Sequence, residues 1–205
     1  MEDLQVNNTE PAHRKGLGRL FAKYRSDRDF SLFLISGLFA GIASGINTSI
    51  FNNYLSDVYK LSEEARGFLE VPREAPGLFI MVILALLNFL GDIRIAMFGM
   101  LAAGLGMLGL GLLTPLYSVM IIWMMMYSLG SHMVFPVTPS IGMSLSKRES
   151  YGARLGTVSA FSLVGGIAAF VFVFIGFNYL HISYQAAFVT ASVLYVIAAL
   201  MLGFM

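Results

Sequence analysis

Cysteine is absent from all 205 residues. That absence removes disulfide bridges, thiolate metal ligands and cysteine nucleophiles together. Histidine is scarce, and His13, His132 and His181 are too far apart in sequence to suggest a metal centre. Charge is short as well. Charged residues make up 12% of the chain, against roughly 25% in a soluble domain, which leaves too little polar surface to coat a globule in water. A net charge of +1 supplies no basic field, so nucleic acid is not an expected partner. Neither clustered metal ligands nor a nucleophile–base constellation stands out, so no cofactor and no enzymatic chemistry are expected.

What the chain has is apolar length. Hydrophobic residues make up 57% of it, at a mean hydropathy of +0.75. They come in six blocks, each near the roughly 20 residues a helix needs to cross about 30 Å of hydrocarbon. The expected spans run over about 30–54, 76–90, 93–113, 116–143, 155–177 and 184–205. Strands are not expected, because open sheet edges cannot face lipid and period-two alternation is missing. The fold class this implies is an all-α membrane protein of six transmembrane helices, with residues 1–29 as a basic tail and 30–205 as the membrane domain.

The connections give an orientation. Arg14, Lys15, Arg19, Lys23, Arg25 and Arg28 precede the first span, Arg94 follows the second, and Lys147, Arg148 and Arg154 follow the fourth. The opposite side holds only Lys60, Arg66 and Arg73. The positive-inside rule puts both ends of the chain in the cytoplasm. In the tail, Leu17, Leu20, Phe21 and Tyr24 interleave with the basic residues and suggest either an interfacial helix or a solvated tail held by charge. The tail is too polar for a secretory signal, so the first span is expected to stay. The sixth span runs into the final residue, which suggests a chain cut from something longer, a genuine half-size protein being the other reading.

Polar residues inside the spans mark where lipid is excluded. On a helical wheel Gly37, Gly41, Ser44, Thr48 and Asn52 share one arc of the first span, with Asn47 beside it. Such a stripe faces either another helix or a watery cavity. Arg66, Glu70, Arg73 and Glu74 share a face before the second span. Spacings of i,i+3 and i,i+4 allow them to pair, and the distance to Asp92 places Glu74 at or just inside the outer interface. They are read either as a solvated helix extension or as an outer gate or proton-coupling cluster. In the fourth span Tyr127, Ser131 and Thr138 share a face, Pro136 and Pro139 interrupt the hydrogen-bond ladder, and His132 lies near mid-span as a packing residue, proton relay or solute contact. Ser159, Ser162, Gly166 and Ala169 line the fifth span as a helix-packing face.

With its basic tail, small and polar first helix and tight second–third loop NFLGDIRIAMFG at 88–99, the chain resembles the amino-terminal half of a major facilitator superfamily transporter. Asp92 falls on the acidic position of that family's loop pattern, and Arg94 lies beside its basic one. The stretch 146–156, leading into Arg154 and Gly156, is similar to the charged inner loop, and Gly130 fits the glycine of the fourth-helix motif. Met126 and Ser162 stand where that family often has arginine and proline. The stretch 66–77, RGFLEVPREAPG, resembles bacterial members, which implies a bacterial plasma membrane.

The resemblance implies two inverted three-helix repeats in this chain, a second six-helix half or a second copy as partner, and a solute site between halves reached by alternating access. The expected function is secondary transport of a small solute coupled to a proton or other ion gradient. A non-transporting assembly or sensory subunit is the alternative. Asn47, Thr48, Asn52, Tyr127, Ser131 and His132 are the expected cavity residues. Glu70, Arg73 and Glu74 are the expected outer gate, and Asp92, Arg94 and Arg154 are expected to pair at the inner gate.

Overall fold

The computed structural model describes residues 28–114, 116–146 and 150–205. The tail residues named above other than Arg28, and Lys147 and Arg148, lie outside them. The described residues form six long helices and no strand: α1 Arg28–Tyr59, α2 Glu63–Leu87, α3 Asp92–Leu112, α4 Tyr117–Ser144, α5 Tyr151–Asn178 and α6 Tyr184–Gly203. All six are long and apolar enough to cross a membrane. Large apolar side chains cover the outside, with Leu78 81%, Met81 83% and Phe135 83% exposed. In water such a surface would aggregate; in lipid it is the expected one. These are the properties of a membrane protein.

The turns follow from local chemistry. Ser62 and Ser183 cap α2 and α6, each accepting from a backbone N–H three residues on (3.3 and 3.1 Å). Glu63 and Glu64 then sit in the first turn of α2, where the helix dipole favours negative charge. A 3-10 turn, Asn88–Leu90, closes α2, and Gly91 reverses the chain into α3 at φ 78°, a backbone region costly for any other residue.

α2 differs from its expected span. It begins at Glu63, about thirteen residues earlier, and carries Pro72 and Pro76 in its interior. Hydropathy alone places a boundary at Pro76 because the charged turns before it lower the local average. Those turns are helical because their charges find partners on α2 itself and on α4.

Packing is selective. α1 packs on α5 and α6, α4 packs on α3 and α2, and α3 packs on α6. Small residues make these seams, as helix association in lipid requires close van der Waals contact. A Cβ on Gly99 would lie 2.9 Å from the Gly130 carbonyl oxygen, and Gly130 meets Gly99 and Ala103 in return. Buried hydroxyls add hydrogen bonds, Ser36 donating to the Ala198 carbonyl (2.9 Å) and Ser192 to the Gly104 carbonyl (2.7 Å). Each such bond contributes about 0.6 kcal/mol on average in membrane proteins.

On α5 the packing face includes the expected Ala169, with Val158, Gly165 and Gly176 also buried. Gly41 and Gly45 of α1 approach Ser162 and Gly166 there, whereas Ser159 is exposed. At one end of the bundle, Tyr54 and Tyr59 of α1 meet Thr114 (2.8 and 2.9 Å), and Tyr184 donates to Asp57 (2.5 Å). At the other end the Arg28 guanidinium donates to the Phe204 carbonyl (3.3 Å), and Arg154 lies over the Phe30 ring at 4.1 Å.

Candidate functional site: a polar recess between α1, α2 and α4

Every side chain that the sequence nominates for the cavity and the outer gate lines one recess of about 330 Å³. α1 contributes Asn47, Thr48 and Asn52, with Phe51 beside them. α2 contributes Glu70, Arg73 and Glu74, and α4 contributes Tyr127, Ser128, Ser131 and His132. The helical repeat accounts for this. Residues 48 and 52, 70 and 74, and 127, 128, 131 and 132 are three or four apart, so each set projects from one face of its helix.

The recess lies near the middle of the helices. Glu74 is about 16 Å from the start of α2 and about 20 Å from its end, at 1.5 Å per residue. His132 is likewise about 22 and 18 Å from the ends of α4. Glu74 is therefore a mid-helix residue, because α2 extends eleven residues beyond it on the side away from Asp92.

Charges in the recess are held in a chain. Arg73 pairs with Glu70, and its Nε lies 3.4 Å from Glu74 Oε1. Glu74 Oε2 lies 3.2 Å from His132 Nε2. His132 Nδ1 in turn faces the Ser128 carbonyl oxygen at 2.9 Å and Ser128 Oγ at 3.2 Å. Ser128 Oγ donates to the Arg73 carbonyl. In the same turn Pro76, lacking an N–H, leaves the Pro72 carbonyl without its helical donor. Gly77 completes the arrangement, since a Cβ there would stand 2.7 Å from His132 Nε2.

On the α1 wall, Thr48 and Asn52 are exposed to the recess, and Asn47 is only 8% exposed. Asn47 Oδ1 is a buried acceptor with no hydrogen-bond partner among the described residues. The rings of Tyr127 on α4 and Tyr195 on α6 lie 6.2 Å apart. A second, more open recess of about 360 Å³ continues past Asn52, Glu63, Arg66, Gly67 and Glu70, where Arg66 donates to the Asn52 carbonyl (3.2 Å).

The three residues assigned to the inner gate are not brought together in this way. Asp92 opens α3, where its charge suits the helix dipole. Neither Asp92 nor Arg94 forms an ion pair among the described residues. Two positions apart on a helix, they project about 200° from each other and cannot meet. Arg154 is turned toward Phe30 at the start of α1.

Ser128 is the polar recess residue that the sequence reading missed. Its signal was present, one helical turn before His132 at i,i+4, but a serine in an apolar helix looks like packing until its partner on α2 is known.

Fold and recess together define a helical membrane protein with a polar, charge-lined hollow among its helices. No protein-family model matches the chain, and no curated protein matches it.

Proposed function

We propose that the chain is one six-helix half of a secondary transporter of the major facilitator kind. It moves a small solute by alternating access, coupled to a proton or other ion gradient. The observation that carries this reading is the recess: ten polar or charged side chains from three helices, gathered at mid-length of a bundle whose outside is apolar. Charge at the centre of a bilayer is costly and marks functional sites by default, and transporter sites lie near the midplane.

The packing pattern supports it. Exchanging α1, α2 and α3 with α4, α5 and α6 turns the α1–α5 contact into α4–α2 and α1–α6 into α4–α3, and leaves α3–α6 unchanged. Two inverted three-helix repeats would produce that pattern. α1 and α4 hold matching places in it, and both line the recess. A second six-helix half, or a second copy, would close the open side. The excess of basic residues on the amino-terminal side favours a cytoplasmic amino terminus in a bacterial plasma membrane.

The test is uptake of a solute panel into inverted and right-side-out vesicles, using the product of the complete reading frame, with and without an imposed pH gradient. Accumulation of at least one solute is expected, reduced tenfold or more, an order-of-magnitude figure, when Asn52→Ala and Tyr127→Phe are combined. No accumulation of any solute in either orientation would favour the assembly or sensory alternative and overturn this reading.

A further inference from the structure

We propose that Glu74 and His132 form a site for a single proton, which deepens the transport reading by naming the coupled ion and its seat. The argument starts at Ser128. A carbonyl oxygen only accepts, so the 2.9 Å contact from His132 Nδ1 to the Ser128 carbonyl requires a hydrogen on Nδ1. The Ser128 hydroxyl hydrogen is committed to the Arg73 carbonyl, so its Oγ also presents lone pairs to Nδ1, at 3.2 Å. Both contacts select the same tautomer. A neutral His132 then turns a bare lone pair at Nε2 toward Glu74 Oε2, 3.2 Å away.

A carboxylate carries no hydrogen either, so two acceptors face each other unless one proton lies between them. In the loaded state that proton sits on Nε2, facing the carboxylate, and the pair is neutral overall. On release it passes to water in the recess and leaves the pair with one negative charge. Arg73 Nε donates to Oε1 of the same carboxylate (3.4 Å), which leaves Oε2 to face the imidazole.

The surroundings isolate this event. From α2 the facing charged groups are Glu70 and Arg73, which pair with each other. From α4 the other titratable group is Tyr127, and the α1 wall presents amides, a hydroxyl and a phenyl ring. α3, α5 and α6 contribute no lining side chain to the recess. Loading therefore takes the lined recess from one net negative charge to none. Closing it away from water is easier in the loaded form, since desolvating an uncompensated charge is costly. That difference would link proton binding to the change of access. Gly77 keeps the place of the imidazole clear.

The experiment is nitrogen-15 magnetic resonance of histidine-labelled protein in lipid nanodiscs from pH 5.5 to 8.5. His132 is assigned by the signals lost in His132→Gln. The expected wild-type result at high pH is a protonated Nδ1 with a bare Nε2, and at low pH protonation of both nitrogens. In Glu74→Gln the doubly protonated population at a given acidic pH should fall several-fold. A hydrogen on Nε2 with Nδ1 bare at high pH overturns the proposal, as does an unchanged doubly protonated population in Glu74→Gln. Should that variant not fold, the wild-type tautomer decides alone. No solute enters this measurement, so its failure is separable from a failed uptake assay: a correct tautomer with no uptake retains the proton site and removes the transport reading, and the reverse result does the opposite.

Discussion

Gly165 and Gly166 stand side by side on α5 in different surroundings. A Cβ on Gly165 would lie 2.5 Å from the Leu38 carbonyl oxygen and 2.9 Å from the Ile42 nitrogen, both backbone atoms of α1. Backbone inside a helix cannot swing aside as a side chain can. Gly165→Ala should therefore destabilise the bundle by about 1–3 kcal/mol, the usual range for overpacking. Around Gly166 a Cβ meets nothing within 4 Å, and alanine there gains helix propensity of about 0.5–1 kcal/mol. Thermal unfolding in detergent, followed by the fluorescence of the single tryptophan, Trp123, should show a lower midpoint for the first variant and an equal or higher one for the second. Equal loss in both would mean that α1 and α5 do not meet at this seam. The sequence reading put Gly166 on the packing face, and Gly45 of α1 does approach it there; a helical wheel, which separates the two glycines by only about 100°, does not show that Gly165 meets α1 more tightly. The recess was more legible, because amides, hydroxyls and charges inside apolar spans have few places to go. Partners across helices were not legible. Nothing in the spacing of Ser128 points to the Arg73 carbonyl, since that contact depends on how α2 lies against α4.

Helix α2 is the least embedded element. Leu69 is its one buried residue, whereas α3 buries ten, from Ile95 to Leu110. Its main packing partner is α4, and two prolines remove backbone donors from its interior. Few buried contacts and a weakened ladder lower the free energy of local opening. Hydrogen–deuterium exchange in nanodiscs should accordingly be faster across residues 66–77 of α2 than across residues 95–107 of α3, by roughly tenfold or more. Equal protection would show that α2 is held by contacts beyond those with α4. The existence of all six helices was readable because hydrocarbon thickness sets a length that few soluble helices match in apolar residues. The start of α2 was not, because a span read from hydropathy ends where charges begin. Here the charges continue the helix, Arg73 pairing with Glu70 and Glu74 meeting His132.

For the molecule as a whole, alternating helix direction requires the α1–α2 and α2–α3 connections to lie on opposite faces of the bilayer. Lys60 stands in the first, within three residues of both helices, and Arg94 in the first turn of α3 at the second. Both side chains are exposed. The absence of cysteine makes the natural sequence a clean background for testing this. In intact cells a membrane-impermeant maleimide should label Lys60→Cys and leave Arg94→Cys unreacted until the membrane is opened, as the positive-inside rule expects for the basic excess on the Arg94 side. Reaction of Arg94→Cys alone in intact cells would invert the orientation while keeping the six-span fold. Reaction of both would mean that α2 does not cross. That second result would also remove the basis for a mid-membrane recess, which requires α2 and α4 to run side by side through the same hydrocarbon layer. The labelling pattern therefore bears on the proton site as directly as on the topology.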